Sequence, residues 1–244
     1  MDALIGISGF IGSNIAKKFE TITSVTRSDL LENQKRYDVE RLFIAAPSAN
    51  KWKISSNPQE DLADIRTLVI QLKNSILANQ VILFSTVDVY KDVSDSTENS
   101  ETLTTCSYGG NRFIFESEIR SSFSNVRILR LGGLFGPNLR KNLIYDLKNR
   151  KLDQLSAINP RSQFQYLSIS KVLDYSIASD KSVLNVVGPP ILASEIAGGD
   201  SRFLSIKRPV VTYNIRSVHI DTGYLYKKNE ILHEIHDFIS GDNV

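Results

Sequence analysis

Seven residues near the amino terminus constrain this chain most. Gly6-Ile7-Ser8-Gly9-Phe10-Ile11-Gly12 sets three glycines at a spacing of three, straight after a short apolar run and straight before a helical pattern. In such a loop each glycine has its own task. One makes the tight turn, one lets the backbone approach a pyrophosphate, and one lets helix and strand pack closely. The helix that follows then offers free N–H groups and a positive dipole end to the phosphates. We expect Gly6, Gly9 and Gly12, with Phe10 and Ile11 between them, to hold a dinucleotide. A glycine turn that serves packing alone is the plainer reading. The alternating pattern that follows the loop argues against it.

Short apolar runs at residues 3–7, 21–26, 41–46, 80–85 and 126–131 read as strands. Helical spacing recurs between them at 14–19, from Asn57-Pro58 through Ile76, and at 108–122. Residues 80–85 are apolar along the whole run, so both faces of that strand are expected to be covered, as in a parallel sheet. Residues 92–105 are rich in Ser, Thr, Asp and Glu and read as a loop. The pattern is that of an α/β, Rossmann-type, doubly wound sheet. Beyond Pro137 the alternation weakens. Helices are expected at 138–150, 170–178 and 229–239, with strands at 163–167 and 183–187. We divide the chain into a dinucleotide-binding core, 1–137, and a small, reduced substrate-binding part, 138–244. The two are expected to interleave, with 183–187 returning to the sheet.

Composition rules out several function classes. The formal charge is +2 with no long basic run, so no nucleic-acid partner is expected. Cys106 is the one cysteine, which forbids an internal disulfide. No apolar run reaches the roughly 18 residues of a membrane span, and no secretory leader pattern opens the chain. A soluble, cytoplasmic protein without a membrane partner is the expectation. His233-Glu234-Ile235-His236 lacks the zinc-protease spacing and reads as a solvated helix face, so no metal is expected. Trp52, between Lys51 and Lys53, falls in a loop after the third strand, beside cofactor or substrate or as a surface anchor.

The end of the second strand bears on which dinucleotide is bound. An acid there accepts from a ribose 2′-OH, whereas an arginine meets a 2′-phosphate. Val25-Thr26-Arg27-Ser28-Asp29 puts Arg27 in the phosphate position with Ser28 as a second donor. NADP is the preferred reading, and Asp29 keeps NAD open.

Six further segments follow the glycine loop in order. They are Ala45-Ala46, Ser85-Thr86-Val87-Asp88-Val89-Tyr90, Tyr108-Gly109-Gly110-Asn111-Arg112, residues 130–137 (RLGGLFGP), Phe164-Gln165-Tyr166-Leu167, and Leu184-Asn185-Val186-Val187-Gly188. Together they resemble the extended short-chain dehydrogenase/reductase family, the NAD(P)-dependent epimerases and dehydratases of nucleotide sugars. The resemblance implies that Ala45, Ala46 and Ser85 border the cofactor. It implies that Thr86 and Tyr108 are catalytic, with Arg112 at the family's lysine, holding cofactor and sustaining the Tyr108 phenolate. Substrate would meet Thr86, Asp88, Gly133 and Arg140. It further implies a nucleotide-sugar substrate, and a homodimer through the helices at 65–76 and 108–122.

The chain departs from the family pattern at particular positions. Arg112 stands where the family has lysine, and arginine is bulkier, planar and not an innocent exchange. Gly133 replaces an asparagine. Asp88 alone remains of the acidic pair that a dehydratase pattern would show after Thr86, which favours an epimerase or reductase. Two rivals stay open: a non-catalytic dinucleotide-binding sensor or assembly protein, and a reductase of a small non-sugar carbonyl.

Overall fold

In a computed structural model the chain is described over residues 1–31, 36–198 and 204–241, with the side chain of Trp52 outside that description. In chain order the elements are β1 (Asp2–Ile5), α1 (Phe10–Lys18), β2 (Thr23–Val25), α2 (Arg27–Leu31), β3 (Tyr37–Ile44), α3 (Lys51–Ser56), α4 (Pro58–Ser75) and β4 (Ile76–Thr86). A single 3-10 turn, Val87–Val89, follows β4. Then come α5 (Tyr108–Ser122), β5 (Val126–Leu131), β6 (Gly133–Phe135), α6 (Leu143–Lys148), α7 (Leu152–Leu155), β7 (Gln163–Phe164), β8 (Tyr166–Ser168), α8 (Ile169–Ala178), β9 (Val183–Val186), β10 (Ile191–Leu192), α9 (Ala193–Ile196) and α10 (Lys228–Ser240).

Two compact units share these elements. The first is Met1–Lys91, Ser100–Arg130 and Ser176–Leu184; the second is Asp92–Asn99, Leu131–Tyr175 and Asn185–Val244. The first carries a parallel sheet in the order β2-β1-β3-β4-β5-β9, the doubly wound arrangement expected from the sequence. Its core is aliphatic: Leu42, Ile44, Val81 and Leu83 from the sheet meet Ile65, Leu68 and Leu72 of α4 and Ile119 of α5. Each such side chain, fully buried, contributes about 1.5–3 kcal/mol.

α4 forms because Asn57 and Pro58 start it cleanly. The Asn57 side chain accepts from the Glu60 N–H, and Pro58 sits in the first turn, where its missing N–H costs nothing. The helix stops at Ser75, and Ile76 already belongs to β4, which pairs with β3 from Tyr37↔Ile76 to Ile44↔Leu83. Both strands start earlier than their apolar runs. Their first halves alternate, with Tyr37 and Val39 buried against exposed Asp38 and Glu40, and such half-covered segments lack an apolar run.

In the second unit, β6 pairs with β8 in parallel and β7 with β10 antiparallel. The strand expected over 163–167 is two short ones. Gln165 interrupts it, because its buried amide donates to the carbonyls of Gly188 and Ile215 at 2.7 and 2.8 Å and accepts from the Ile215 N–H at 2.7 Å. α10 buries Ile231 and Ile235. Among the described residues no helix is long and apolar enough to cross a membrane.

Candidate active site

The glycine loop connects β1 to α1, and its three glycines differ in what surrounds them. Gly6 has φ +93°, and a Cβ there would lie 2.5 Å from the Ala45 carbonyl oxygen. At Gly12 a Cβ would lie 2.0 Å from the Gly6 oxygen, so only glycine lets α1 start this close to the loop. Gly9 is different, since the atom nearest its missing Cβ is 3.4 Å away. Gly9 is the N-cap of α1 and brings no side chain to cap it, so no side chain at that cap satisfies the first-turn N–H groups of the helix. Ile7, Ser8 and Gly9 are all exposed. Phe10 and Ile11, in the first turn, are half-buried. Two glycines therefore serve the chain itself, and the third leaves an open cradle at a helix N-terminus.

β2 ends at Val25, and Thr26 opens α2. The Asp29 carboxylate accepts from the Thr26 N–H and hydroxyl at 2.7 and 2.6 Å, while the Thr26 hydroxyl accepts from the Asp29 N–H at 3.2 Å. Asp29 is thus engaged in capping its own helix. Arg27 and Ser28 stay exposed, and Arg27 approaches Asp64 at 3.9 Å across two exposed side chains. Ala45 and Ala46 follow β3, with the Ala45 carbonyl against Gly6.

The second cluster gathers where β4 ends. Thr86 closes the strand and caps the 3-10 turn. Its hydroxyl accepts from the Asp88 N–H at 3.2 Å and donates to the Asp88 carboxylate at 2.9 Å. Tyr108 is the first residue of α5, whose N-cap Ser107 accepts from the Gly110 N–H at 3.2 Å. The Tyr108 phenol lies beside Thr86. Burial pushes its proton affinity up. The Arg112 guanidinium opposes that rise, Asp88 adds to it, and Lys51 and Thr86 oppose it.

Arg112 lies under the Tyr108 ring, its guanidinium carbon 4.8 Å from the ring centre. Its fork is directed elsewhere. Nη1 and Nη2 each donate to Asp61 at 3.0 Å, and Nη2 also donates to the Ser48 carbonyl at 2.7 Å. Both partners of this pair are buried, which ties α5 to α4. Asn111 strengthens the tie by donating to the Pro58 carbonyl at 2.7 Å and to Asp61 at 2.9 Å.

Ser85 sits on β4 one residue before Thr86, and its hydroxyl donates to Glu116 of α5 at 2.5 Å. Glu116 in turn is held by Arg130, which donates to it at 2.6 Å and to the Tyr90 hydroxyl at 2.8 Å. The first unit thus brings together Thr86, Asp88, Tyr108 and Arg112. Gly133 and Arg140 belong to the second unit. A Cβ at Gly133 would lie 2.5 Å from the Tyr166 ring, so the glycine there makes room for that ring. Arg140 is exposed.

Three features went unread in the sequence. Gly109 and Gly110 open α5 because a Cβ on either would lie 1.9 Å from a carbonyl oxygen, of Asp88 and Thr105 respectively. They let α5 rest directly on the turn below Thr86. Two glycines in a helix's first turn disfavour the helix and are themselves a signal of close approach. Asp61 carried no signal. Lys51, expected in a loop, begins α3. It forms an ion pair with Asp88 and stands over the Tyr108 ring, its Nζ 5.5 Å from the ring centre.

No protein-family model matches the chain, and no curated protein matches it in sequence. Solved structures do match. A UDP-galactose 4-epimerase gives a TM-score of 0.74 at 16% identity over 100% of this chain and 100% of that one. A UDP-N-acetylglucosamine 4-epimerase from Methanobrevibacter ruminantium M1, in complex with UDP-N-acetylmuramic acid, gives 0.71 at 18% identity over 98% of each chain. The enzyme WbmG from Bordetella bronchiseptica, in complex with NAD and UDP, gives 0.70 at 15% identity over 99% of this chain and 95% of that one. At such identities a likeness speaks for fold. This chain has the fold of the nucleotide-sugar epimerases to which it is similar, in agreement with the resemblance its motifs carry.

Proposed function

We propose that this chain is an NAD(P)-dependent oxidoreductase or epimerase acting on a nucleotide-activated sugar. The observation that carries the reading is the placement of Tyr108 beside Thr86 at the end of β4, with the Arg112 and Lys51 cations at its ring. The neighbours in complex with UDP-N-acetylmuramic acid and with NAD and UDP support it.

The residues present fit a dinucleotide. The open cradle at Gly9, with Gly6, Phe10, Ile11 and Gly12, would hold its pyrophosphate. Ala45 and Ala46 would border it. Arg27 and Ser28 would take a 2′-phosphate. The engagement of Asp29 within α2 supports NADP over NAD, because that carboxylate is already occupied. A bound nicotinamide would supply the acceptance and return of hydride. The chain's own residues do the rest. Thr86 orients the substrate oxygen, and its bond to Asp88 fixes its hydroxyl. Tyr108 takes or gives the proton at that oxygen. Gly133 and Arg140 are the proposed substrate contacts in the second unit, and a homodimer through α4 and α5 completes the reading.

The test is a panel of nucleotide sugars with NADP(H) and NAD(H), read by product formation. Turnover with at least one of them supports the proposal. Alanine at Arg27 is expected to weaken NADPH about 10- to 100-fold and NADH far less, as losing a charge-assisted bond requires. A second reading, a dinucleotide-binding protein without turnover, is favoured by one observation: both Nη groups of Arg112 are held by Asp61 and Ser48. Cofactor binding without turnover across the panel would select it.

A further inference from the structure

Arg112 occupies the position of the lysine that the resemblance implies, yet its geometry is that of a fastener. Both Nη groups bond Asp61 or Ser48, and the Asp61 carboxylate accepts from both Nη groups. The guanidinium carbon lies 4.8 Å from the Tyr108 ring centre and is held there by Asp61 and the Ser48 carbonyl.

A second cation faces the same ring. Lys51 comes from the first turn of α3, at the end of a loop leaving β3. Its ammonium is half-exposed and is paired with Asp88, itself mostly buried. The Asp88 carboxylate accepts from Thr86, and Thr86 lies beside Tyr108. The groups facing Tyr108 are therefore Thr86 from β4, Asp88 from the 3-10 turn, Lys51 from α3 and Arg112 from its own helix, with Asp61 of α4 behind Arg112. Of the two cations, Lys51 is the one that pairs with Asp88 and also reaches solvent.

We propose that Lys51, paired with Asp88, is a second positioning cation that sustains the Tyr108 phenolate together with Arg112. Arg112 both fastens α5 to α4 and faces the phenol ring, and Lys51 adds its charge from α3. The inference rests on Tyr108 being the acid/base of the proposed reaction, but its test does not require turnover.

The experiment is a pH titration of the whole protein labelled with [13Cζ]tyrosine, with the Tyr108 signal assigned by its loss in Tyr108→Phe. Removing the cation in Lys51→Met is expected to raise the Tyr108 midpoint by at least about half a unit. Lys51→Arg is expected to restore it. Asp88→Asn, which removes an anion, is expected to lower it. These opposite signs are electrostatic, and a merely structural role for Lys51 would not produce them. Equal midpoints with and without Lys51, or no fall in Asp88→Asn, overturn the proposal. An inert protein whose Tyr108 shifts as stated would sink the enzymatic reading and keep this one. An active protein whose Tyr108 ignores Lys51 would do the reverse.

Discussion

Gly6, Gly9 and Gly12 share a motif, yet each responds to a different neighbour. Gly12 has the Gly6 carbonyl against it, Gly6 has the Ala45 carbonyl, and Gly9 meets backbone oxygens only at ordinary contact distance, 3.4 Å and beyond. Substitutions should separate them. Gly9→Val is expected to fold normally and lose dinucleotide binding, because its side chain would fill the cradle. Gly12→Val is expected to lose stability first, by about 1–3 kcal/mol or more, since the chain must shift to admit it. Thermal melts with and without NADPH check both. A Gly9→Val protein that binds as tightly as the parent would displace the phosphate site from this loop. The motif was legible because its spacing falls between a strand pattern and a helical pattern at the start of an alternating chain. The occupied state of Asp29 was not, since capping depends on where a short helix starts, and α2 is only five residues long. Ser85 was legible as a position on β4, but its partner Glu116 lies 31 residues away.

At the scale of elements, the contact between α4 and α5 is a polar clasp inside an apolar pair. Arg112, Asn111 and Asp61 are its parts. Removing one partner of a buried ion pair leaves the other charge uncompensated, at a cost of about 3–5 kcal/mol. Arg112→Met is therefore expected to lower stability by about that much, and the double variant Arg112→Met with Asp61→Leu to recover most of it. Urea denaturation of the four proteins in the cycle measures this. A single variant as stable as the parent would show that Arg112 has no fastening role. The sequence placed α5 at its observed bounds and α4 to within a residue, because helical spacing and the Asn57-Pro58 start are local signals. It placed β3 and β4 short, because their first halves carry Asp38, Glu40 and Asn79 on the exposed side. It missed α3 because nothing in its six residues repeats often enough to show a period.

Over the whole molecule, two buried phenols make stability sensitive to alkali. Burial raises the proton affinity of Tyr108 and of Tyr166, where Asp146 adds to the rise. Both are neutral in either state at pH 7. Above about pH 10 the unfolded chain ionises these phenols while the folded chain holds them neutral, so their contribution, complete below that pH, is lost as pH rises. For Tyr166 the expected slope approaches about 1.4 kcal/mol per pH unit. Urea midpoints should stay level to about pH 9 and then fall, less steeply in Tyr166→Phe; identical falls in parent and variant would remove Tyr166 as a cause. The doubly wound sheet was legible in the alternation of strand and helix. The weaker periodicity after Pro137 has its counterpart in short elements such as β7 and β10, two residues each. These are held by single side chains such as Gln165 rather than by a repeating pattern.

The central claim is that Tyr108 moves a substrate proton beside Thr86. The most direct measurement compares steady-state turnover of the parent and Tyr108→Phe on the nucleotide sugar that the panel identifies, with the cofactor dissociation constant measured alongside. Loss of a positioned acid/base should lower kcat by about 100-fold or more and leave cofactor binding unchanged. A parent inert on every sugar of the panel, or a Tyr108→Phe variant that turns over as fast as the parent, would contradict the account.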